Sequence, residues 1–358
     1  MTAAPAIAGW LAALPPPGAP PAAGGLAEHW LALLIAGILT ALVSLVVWVL
    51  AKYLRLAINM FLDTPLPVTA NLQDYEPPDG EPITFPSLDG RSLCGMFIDR
   101  PPGKPDRGTV LFCHEFGSDM YSAGRYARPL VEAGYTVFTF DFRGHGRSFT
   151  PPHFEPRHWP SNYEVHDVLA AIAYVQSRRE TPEAGLGILG ISRGACAATM
   201  AAALSPLVRC LVVDGVFSTD YRIDQLMKRW VEIFARVNLV SVDRSYLAYR
   251  FFRVLMMFYV ELKCRCRFPS IRKAFAKLEA IPILFISGER DVYVPPDETR
   301  MFCDMKPGPK EIWICPGAKH NQAVATDPRT YAEKTAQFFD RYLSGAGAGA
   351  ARPRQAAG

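Results

Sequence analysis

The sequence predicts an α/β protein in which a mostly parallel sheet carries helices on both faces. Short apolar runs typical of buried strands alternate with helix-prone segments between residues 81 and 343. A helical insertion at about residues 219–280 interrupts this alternation. One apolar segment near the N-terminus is long enough to cross a bilayer. We therefore expect one transmembrane helix followed by a single α/β domain with a helical insertion.

The composition excludes several classes of protein. Half of the 358 residues are hydrophobic, which permits a large core, and the net charge of +4 is too small to indicate nucleic-acid binding. The eight cysteines have no metal-ligand spacing, and several lie in apolar runs typical of buried free thiols. We expect a reduced compartment, no metal site and no cofactor.

The apolar run from Trp30 to Leu50 carries no charge and would span about 31 Å as a helix. We predict a transmembrane helix over residues 28–55. A cleaved signal peptide is the alternative, but residues 1–29 contain no Lys or Arg to form its basic region. Lys52 and Arg55 follow the run, so the positive-inside rule predicts an external N-terminus and a cytoplasmic main domain in a single-pass protein.

Composition also predicts where the α/β domain begins and ends. Residues 1–27 are rich in Ala, Pro and Gly and are predicted to be disordered, as is the tail at 344–358. Residues 56–80 contain four prolines and are predicted to form an extended juxtamembrane tether. The domain proper is expected at 81–343.

The pentapeptide Gly190–Gly194 is a G-x-S-x-G motif between an apolar strand-like run and a helix-prone run. This context is required for a nucleophile elbow, in which a sharp turn exposes a serine above a sheet. Ser192 is therefore the candidate nucleophile, and a helix-capping serine is the alternative interpretation. The overlapping G-x-G-x-x-G at 185–190 is rejected as a nucleotide site because it follows a helix and is itself the strand.

Three further segments accompany this motif: Asp141–Ser148, Ser287–Asp291 and Pro316–His320. Together the four resemble, in order, the motifs of the α/β-hydrolase superfamily, and more closely its cap-bearing esterases, monoacylglycerol-lipase-like enzymes and serine aminopeptidase-like members. The resemblance covers residues 81–343 and implies an α/β-hydrolase fold with a helical cap insertion.

The resemblance implies a catalytic triad. Ser192 would attack the substrate, His320 would be the general base and Asp291 would orient the imidazole. Asp214, at the end of the strand before the insertion, is the alternative acid.

An oxyanion hole requires two backbone N–H donors. Arg193, which follows the nucleophile, is one candidate. His114–Gly117 resembles the family's H-G-x-G loop and implies Phe116 as the second. Glu115 departs from that pattern, since the family usually has glycine there, and it is a candidate substrate-binding residue.

The insertion is predicted to form a lid with three helices. Its 13 Lys and Arg residues against 6 Asp and Glu residues suggest contact with anionic lipid. Its aromatic residues either form the lid's own core or line an acyl-binding pocket. The candidate lining residues are Trp230, Phe234, Phe251, Phe252 and Met256.

These observations predict a membrane-anchored serine hydrolase that cleaves an ester or thioester of an apolar, lipid-like acyl substrate. The alternatives are a serine peptidase and a catalytically idle scaffold that uses the hydrolase fold for binding.

Overall fold

The computed structural model describes residues 24–63, 76–152, 154–178, 185–234 and 242–343, and within the cap it describes no side chains at 229–249. The chain divides into two compact units, of which the first ends at Asn59 and the second begins at Met60. The predicted disordered tail at 344–358, residues 1–23 and residues 64–75 of the tether lie outside the described residues.

Helix α1 runs from Gly24 to Leu62 and is longer than the sequence predicts. It begins inside the segment expected to be disordered and continues seven residues into the expected tether. The physical reason is that no proline interrupts residues 24–62, and the first helix-breaking residue after them is Pro65. Within α1, His29–Leu62 is long and apolar enough to cross a membrane.

The second unit is built on an eight-stranded sheet in the order β1-β2-β4-β3-β5-β6-β7-β8. Strand β2 pairs antiparallel with both β1 and β4, and every later pairing is parallel. The strands are β1 Ile83–Pro86, β2 Ser92–Ile98, β3 Thr109–Cys113, β4 Thr136–Phe140, β5 Leu186–Ile191, β6 Val208–Asp214, β7 Ile283–Gly288 and β8 Lys310–Cys315. The predicted α/β fold, with a mostly parallel sheet, is confirmed.

The central strands are buried because helices cover the sheet. All residues of β3 and β5 are buried, as expected for parallel strands with both faces covered. The helices of this unit outside the cap are α2 Ala123–Tyr126, α3 Arg128–Ala133, α4 Asn162–Ser177, α5 Arg193–Ala202, α9 Pro296–Met305, α10 Ala323–Thr326 and α11 Pro328–Tyr342.

Helix α4 begins at a capping box. Ser161 Oγ accepts the Tyr163 N–H at 3.1 Å, and Glu164 Oε2 accepts the Ser161 N–H at 2.7 Å. The sequence predicts one helix over Tyr121–Ala133, and the structure has a 3₁₀ turn at Met120–Ser122 followed by α2 and α3. Pro129 explains the interruption, because a proline is tolerated in the first turn of a helix but not in its interior.

The described part of the insertion contains three helices, α6 Thr219–Phe234, α7 Val242–Cys264 and α8 Ile271–Phe275, in agreement with the predicted number. Helix α7 exposes one apolar face. Its members are Phe251, Val254, Leu255, Phe258, Tyr259 and Leu262. Met256 and Val260 lie buried on the opposite side. We call the six exposed residues the α7 face.

Residues at the end of α1 belong to the second unit. The ring of Phe61 stacks on Trp159, with centroids 5.1 Å apart, and meets Phe268 edge-on. The Phe61 carbonyl accepts a hydrogen bond from Trp159 Nε1 at 2.9 Å, and the Leu62 carbonyl accepts one from Arg157 at 2.6 Å. Residues 60–62 are therefore part of the α/β unit and not a free tether.

Candidate active site

Ser192 lies in the turn between β5 and α5 with φ 50° and ψ −115°, a conformation few non-glycine residues adopt. The flanking glycines are required by close packing. A Cβ on Gly190 would lie 2.6 Å from Ala195 Cα, and one on Gly194 would lie 2.3 Å from the Cys113 carbonyl oxygen. The G-x-S-x-G spacing thus reflects a backbone that approaches its neighbours too closely for side chains.

Three side chains from separate loops form a continuous hydrogen-bonded chain at this turn. Ser192 Oγ lies 2.9 Å from His320 Nε2, and His320 Nδ1 lies 2.7 Å from Asp291 Oδ2. The other Asp291 oxygen accepts the backbone N–H groups of Tyr293 and Val294 at 2.8 and 2.7 Å. All three members are buried. This arrangement suits proton transfer between the serine and the imidazole.

Asp214, the alternative acid, has no hydrogen bond to His320. It lies at the end of β6 and is buried at 1% exposure. Burial raises its pKa to about 8, and the neighbouring charges of Asp291 and Glu115 act in the same direction. The geometry therefore favours Asp291 as the partner of the imidazole.

Phe116 and Arg193 lie on adjacent loops, after β3 and after β5. The Arg193 guanidinium lies 5.0 Å from the centroid of the Phe116 ring. His114 fixes the first of these loops, because its Nδ1 lies 2.7 Å from the Glu115 carbonyl and its Nε2 accepts the Phe142 N–H at 3.2 Å. The side chains of the two candidate residues are thus in contact, and their roles as backbone oxyanion donors stay a prediction.

Glu115 is buried on the inner side of its loop. Ser122 Oγ and Tyr126 Oη each lie 3.4 Å from its carboxylate oxygens, and Tyr126 also bonds the Asn321 carbonyl at 3.4 Å. Burial raises the pKa of Glu115 to about 7. These contacts connect the loop after β3 to the segment beside His320, and the predicted substrate contact of Glu115 stays a prediction.

The predicted acyl-pocket residues of the cap are dispersed. Phe251 is 71% exposed, Phe252 is half-buried and Met256 is buried at 2% exposure. The side chains of Trp230 and Phe234 lie outside the described part of the cap. Phe251 belongs to the α7 face, because helical periodicity places it on the side opposite Met256.

A different aromatic cluster covers the triad. The Tyr293 ring lies 4.9 Å from the His320 ring, and the Tyr293 hydroxyl is hydrogen-bonded to His158 Nε2. His158 stacks on Phe217 at 4.8 Å, and Phe116 meets it edge-on at 6.0 Å. We call these four residues, Phe116, His158, Phe217 and Tyr293, the roof.

Sequence reasoning missed His158, Phe217 and Tyr293. Phe217 and Tyr293 had a usable signal, since each follows closely on the end of a strand that delivers a candidate acid, Asp214 or Asp291. His158 had none, because it comes from a loop. Burial lowers the pKa of His158 to about 3, as do the charges of His320, Arg193 and Arg222, so it stays neutral near pH 7.

The loop after β4, which carries the Asp141–Ser148 motif, has a structural role. Asp141 accepts backbone N–H groups of Met120 and Arg147, each at 2.7 Å, and Arg143 forms an ion pair with Asp167 at 2.5 Å. Gly146 adopts φ 48°, and a Cβ there would lie 2.1 Å from the Asp141 carboxylate.

Among the described residues, no cluster of three or more His, Cys, Asp or Glu side chains is arranged to hold a metal ion.

The comparisons with known proteins agree with this architecture. A family model described as the alpha/beta hydrolase fold matches residues 108–249. The uncharacterized protein YfhR of Salmonella typhimurium is 26% identical over 251 residues, which cover 70% of this chain and 77% of that protein. The uncharacterized protein YqkD of Bacillus subtilis is 26% identical over 274 residues, which cover 75% and 82%.

Two solved structures are similar in fold. An esterase of Pyrococcus furiosus superposes with a TM-score of 0.54 at 22% identity and covers 78% of this chain and 97% of its own. The alpha/beta hydrolase GrgF from Penicillium sp. sh18 superposes with a TM-score of 0.56 at 19% identity and covers 74% and 99%. At these identities the likeness establishes the fold alone.

Proposed function

We propose that this chain, which has the α/β-hydrolase fold, is a serine hydrolase that cleaves an ester or thioester of an apolar acyl substrate. The observation that carries the proposal is the hydrogen-bonded chain Ser192–His320–Asp291, with distances of 2.9 and 2.7 Å at a strained strand-to-helix turn. An idle binding scaffold has no need of such a chain.

The first step is acylation. Ser192 Oγ attacks the carbonyl carbon of the substrate while His320 Nε2 takes its proton, and the resulting imidazolium is stabilised by Asp291. The backbone N–H groups of Phe116 and Arg193 would stabilise the negative oxygen of the tetrahedral intermediate. His320 then gives the proton to the leaving group, and an acyl-enzyme remains. Water, deprotonated by the same imidazole, releases the acid.

The preference for an apolar acyl group is supported by the roof. Its Tyr293 ring packs against the imidazole, its Phe116 ring packs against the Arg193 guanidinium, and Ser192 is only 2% exposed. A substrate that reaches Ser192 must therefore leave water and contact aromatic surface, which favours hydrophobic groups.

We also propose that the enzyme acts at a membrane surface, with α1 as a single-pass anchor and the α/β unit on the cytoplasmic side. The α7 face supports the proposed contact of the α/β unit with the membrane surface. Its residues recur at the spacing of one helix side, and the exposed side chains of Arg250, Lys263, Arg265 and Arg267 flank it. An apolar face bordered by basic residues suits the interface of an anionic bilayer.

The proposed activity is tested with a fluorophosphonate probe and an ester panel. The probe should label the wild-type protein on Ser192, and Ser192→Ala should abolish labelling and lower ester turnover by a factor on the order of 10⁶. Ser177→Ala, at an exposed serine of α4, is the matched control and should label normally.

The panel of acyl chain lengths, with aminoacyl substrates added, separates an esterase from a peptidase. Hydrolysis of the aminoacyl substrates alone would favour the peptidase alternative. Retention of more than about a tenth of the rate by Ser192→Ala would exclude Ser192 as nucleophile. No labelling of the wild-type protein would favour the idle scaffold.

A further inference from the structure

Two thiols meet in the turn that ends α7. Cys264 and Cys266 flank Arg265, whose φ of 52° lies in the left-handed region, and the two thiols are in hydrogen-bonding contact. Both line a cavity of about 100 Å³ together with Arg157 and Lys263. Cys264 is partly exposed and Cys266 is buried, so a small molecule that enters the cavity reaches Cys264 first.

The two thiols differ in chemistry. The hydrogen bond from Cys266 lowers the pKa of Cys264 to about 6, and the charges of Arg157 and Lys263 act in the same direction. The same hydrogen bond, together with burial, raises the pKa of Cys266. Near pH 7 the pair therefore contains one thiolate and one thiol, which is the composition needed for attack and resolution.

The turn that carries these thiols is docked on the start of α4. The Arg265 carbonyl accepts the Tyr163 hydroxyl at 3.1 Å. Asn162 makes two bonds to Arg267: its N–H donates to the Arg267 carbonyl at 2.8 Å, and its Oδ1 accepts the Arg267 N–H at 2.7 Å. Movement of the turn must therefore move the first turn of α4.

That first turn of α4 holds the side chain of Arg193. Glu164 accepts the Ser161 N–H at 2.7 Å, and its other oxygen forms a buried ion pair with Arg193 at 3.3 Å. The only other hydrogen bond of this guanidinium among the described residues goes to the Arg157 carbonyl at 2.9 Å, since Nε and Nη2 have no partner. Arg193 thus depends on two partners beside the thiol cavity, and its guanidinium packs on the Phe116 ring.

We propose that Cys264 and Cys266 form a reversible intramolecular disulfide with a peroxide as oxidant, and that this disulfide slows turnover by shifting Glu164 and Arg193 beneath the oxyanion turn. The effect on turnover rests on the proposed function, whereas formation of the disulfide does not.

The chemistry is balanced with hydrogen peroxide. The Cys264 thiolate attacks one peroxide oxygen, the O–O bond breaks, and the departing hydroxide takes a proton to become water. The sulfur of Cys266 then attacks the Cys264 sulfenic acid, the S–O bond breaks as the S–S bond forms, and the Cys266 proton leaves with the oxygen as a second water. The two thiols lose two electrons and the peroxide gains them.

The test uses the full-length protein in detergent with hydrogen peroxide. Chymotrypsin releases residues 263–275, a peptide that contains both thiols and no other cysteine. After treatment this peptide should be two hydrogens lighter and resist iodoacetamide until it is reduced. The kcat for a soluble ester should fall at least threefold, with a smaller change in KM, and dithiothreitol should restore it.

Cys266→Ser should lose both the disulfide and the dithiothreitol-reversible fall in kcat. Cys303→Ser, at a buried cysteine of α9, is the matched control and should respond as the wild-type protein does. A peptide that stays fully alkylated after peroxide would overturn the proposal, and so would a disulfide that leaves kcat unchanged. A reduced protein that hydrolyses no ester would contradict the proposed function instead, while the alkylation result would still report on the thiol pair.

Discussion

Ser192 holds a strained backbone conformation, and the residues around it explain how the strain is maintained. Strain of this kind costs about 1–3 kcal/mol and persists only where the surroundings fix the backbone. The Ser192 N–H donates to the Asp214 carbonyl at 2.7 Å, and Gly190 and Gly194 allow close backbone contact on either side. The serine is thus held in place by the sheet and not by its own side chain.

The assignment of the acid yields the first residue-scale prediction. Asp291→Asn removes the charge that stabilises the imidazolium and should lower kcat by a factor on the order of 10⁴. Asp214→Asn should lower kcat less than about tenfold, because the Asp214 carboxyl is held protonated near pH 7 and asparagine resembles that form. Steady-state rates of both purified variants test the order, and the reverse order would transfer the role of acid to Asp214.

The buried carboxyl of Asp214 also predicts a pH dependence of stability. Its pKa is about 8 in the folded chain, above the value of about 3.9 expected after unfolding, so the folded state binds the proton more tightly. The contribution of this protonated carboxyl to the free energy of unfolding is complete below about pH 4 and is lost as the pH rises through about 8. Glu115, with a pKa of about 7, acts in the same direction.

Asp214→Asn removes this titration. The free energy of unfolding of the variant minus that of the wild-type protein should therefore be larger at pH 8 than at pH 5 by at least about 1 kcal/mol. Urea denaturation at several pH values provides the measurement, and Asp304→Asn, at an exposed carboxyl of α9, is the control. A difference that stays constant or falls with pH would contradict the assignment of a raised pKa to Asp214.

Among the elements, α7 carries the surface that we propose contacts the membrane. Over the part of α7 whose side chains are described, residues 250–264, apolar residues occupy both the exposed and the buried side, whereas a surface helix usually has a polar outer face. Not every basic residue of the insertion is available to lipid, because Arg253 is paired with Asp224 at 2.9 Å and is largely buried. The contact proposed here therefore depends on the α7 face and its flanking charges and not on Arg253.

A truncated chain that begins at Met60 tests this contact without the α1 span. It should bind vesicles that contain phosphatidylserine, and Phe258→Asp should weaken binding at least tenfold, because burial of a phenylalanine contributes about 1.5–3 kcal/mol. Arg250→Gln should weaken it about fivefold, from about 1 kcal/mol per basic residue, and added salt should reduce that contribution.

Leu204→Asp, at an exposed leucine after α5, is the matched control and should bind as the parent does. Hydrolysis of a small soluble ester should be the same in all these variants, because none of them touches the triad. Equal vesicle binding by the parent and Phe258→Asp would exclude the α7 face as a lipid contact.

At the scale of the whole molecule, the boundary of the α/β unit lies earlier than composition suggests. Phe61 is 3% exposed and contacts Trp159 and Phe268, so the unit begins near Met60 and not near residue 81. Phe61→Ala should therefore lower the free energy of unfolding of the α/β unit by about 3 kcal/mol, as expected for a buried aromatic residue. Leu56→Ala, at an exposed residue of α1, is the control, and chemical denaturation of the full-length protein measures both. A loss below about 0.5 kcal/mol for Phe61→Ala would mean that these contacts do not stabilise the unit.

Local patterns in the sequence predicted much of the architecture. The sequence predicts strands at 109–113 and 283–287, and β3 and β7 occupy Thr109–Cys113 and Ile283–Gly288, because apolar runs are local properties. The glycines around Ser192 and the order of the four motifs also identified the residues that the fold brings together. The ends of α1 and the break at Pro129 were predicted less well, since helix boundaries depend on capping and packing as well as on propensity.

The sequence by itself determined the fold class, the apolar N-terminal segment and the candidate nucleophile, because each depends on residues close together in the chain. Only the tertiary structure decided that Asp291 and not Asp214 meets His320, that Tyr293 packs against His320 and bonds His158, and that the cap's Phe251 is exposed. Those outcomes depend on contacts between residues that lie apart in the chain, by 29 positions for Asp291 and His320 and by 135 for His158 and Tyr293. Such contacts follow from strand order and loop packing, neither of which is encoded in the periodicity of any single segment.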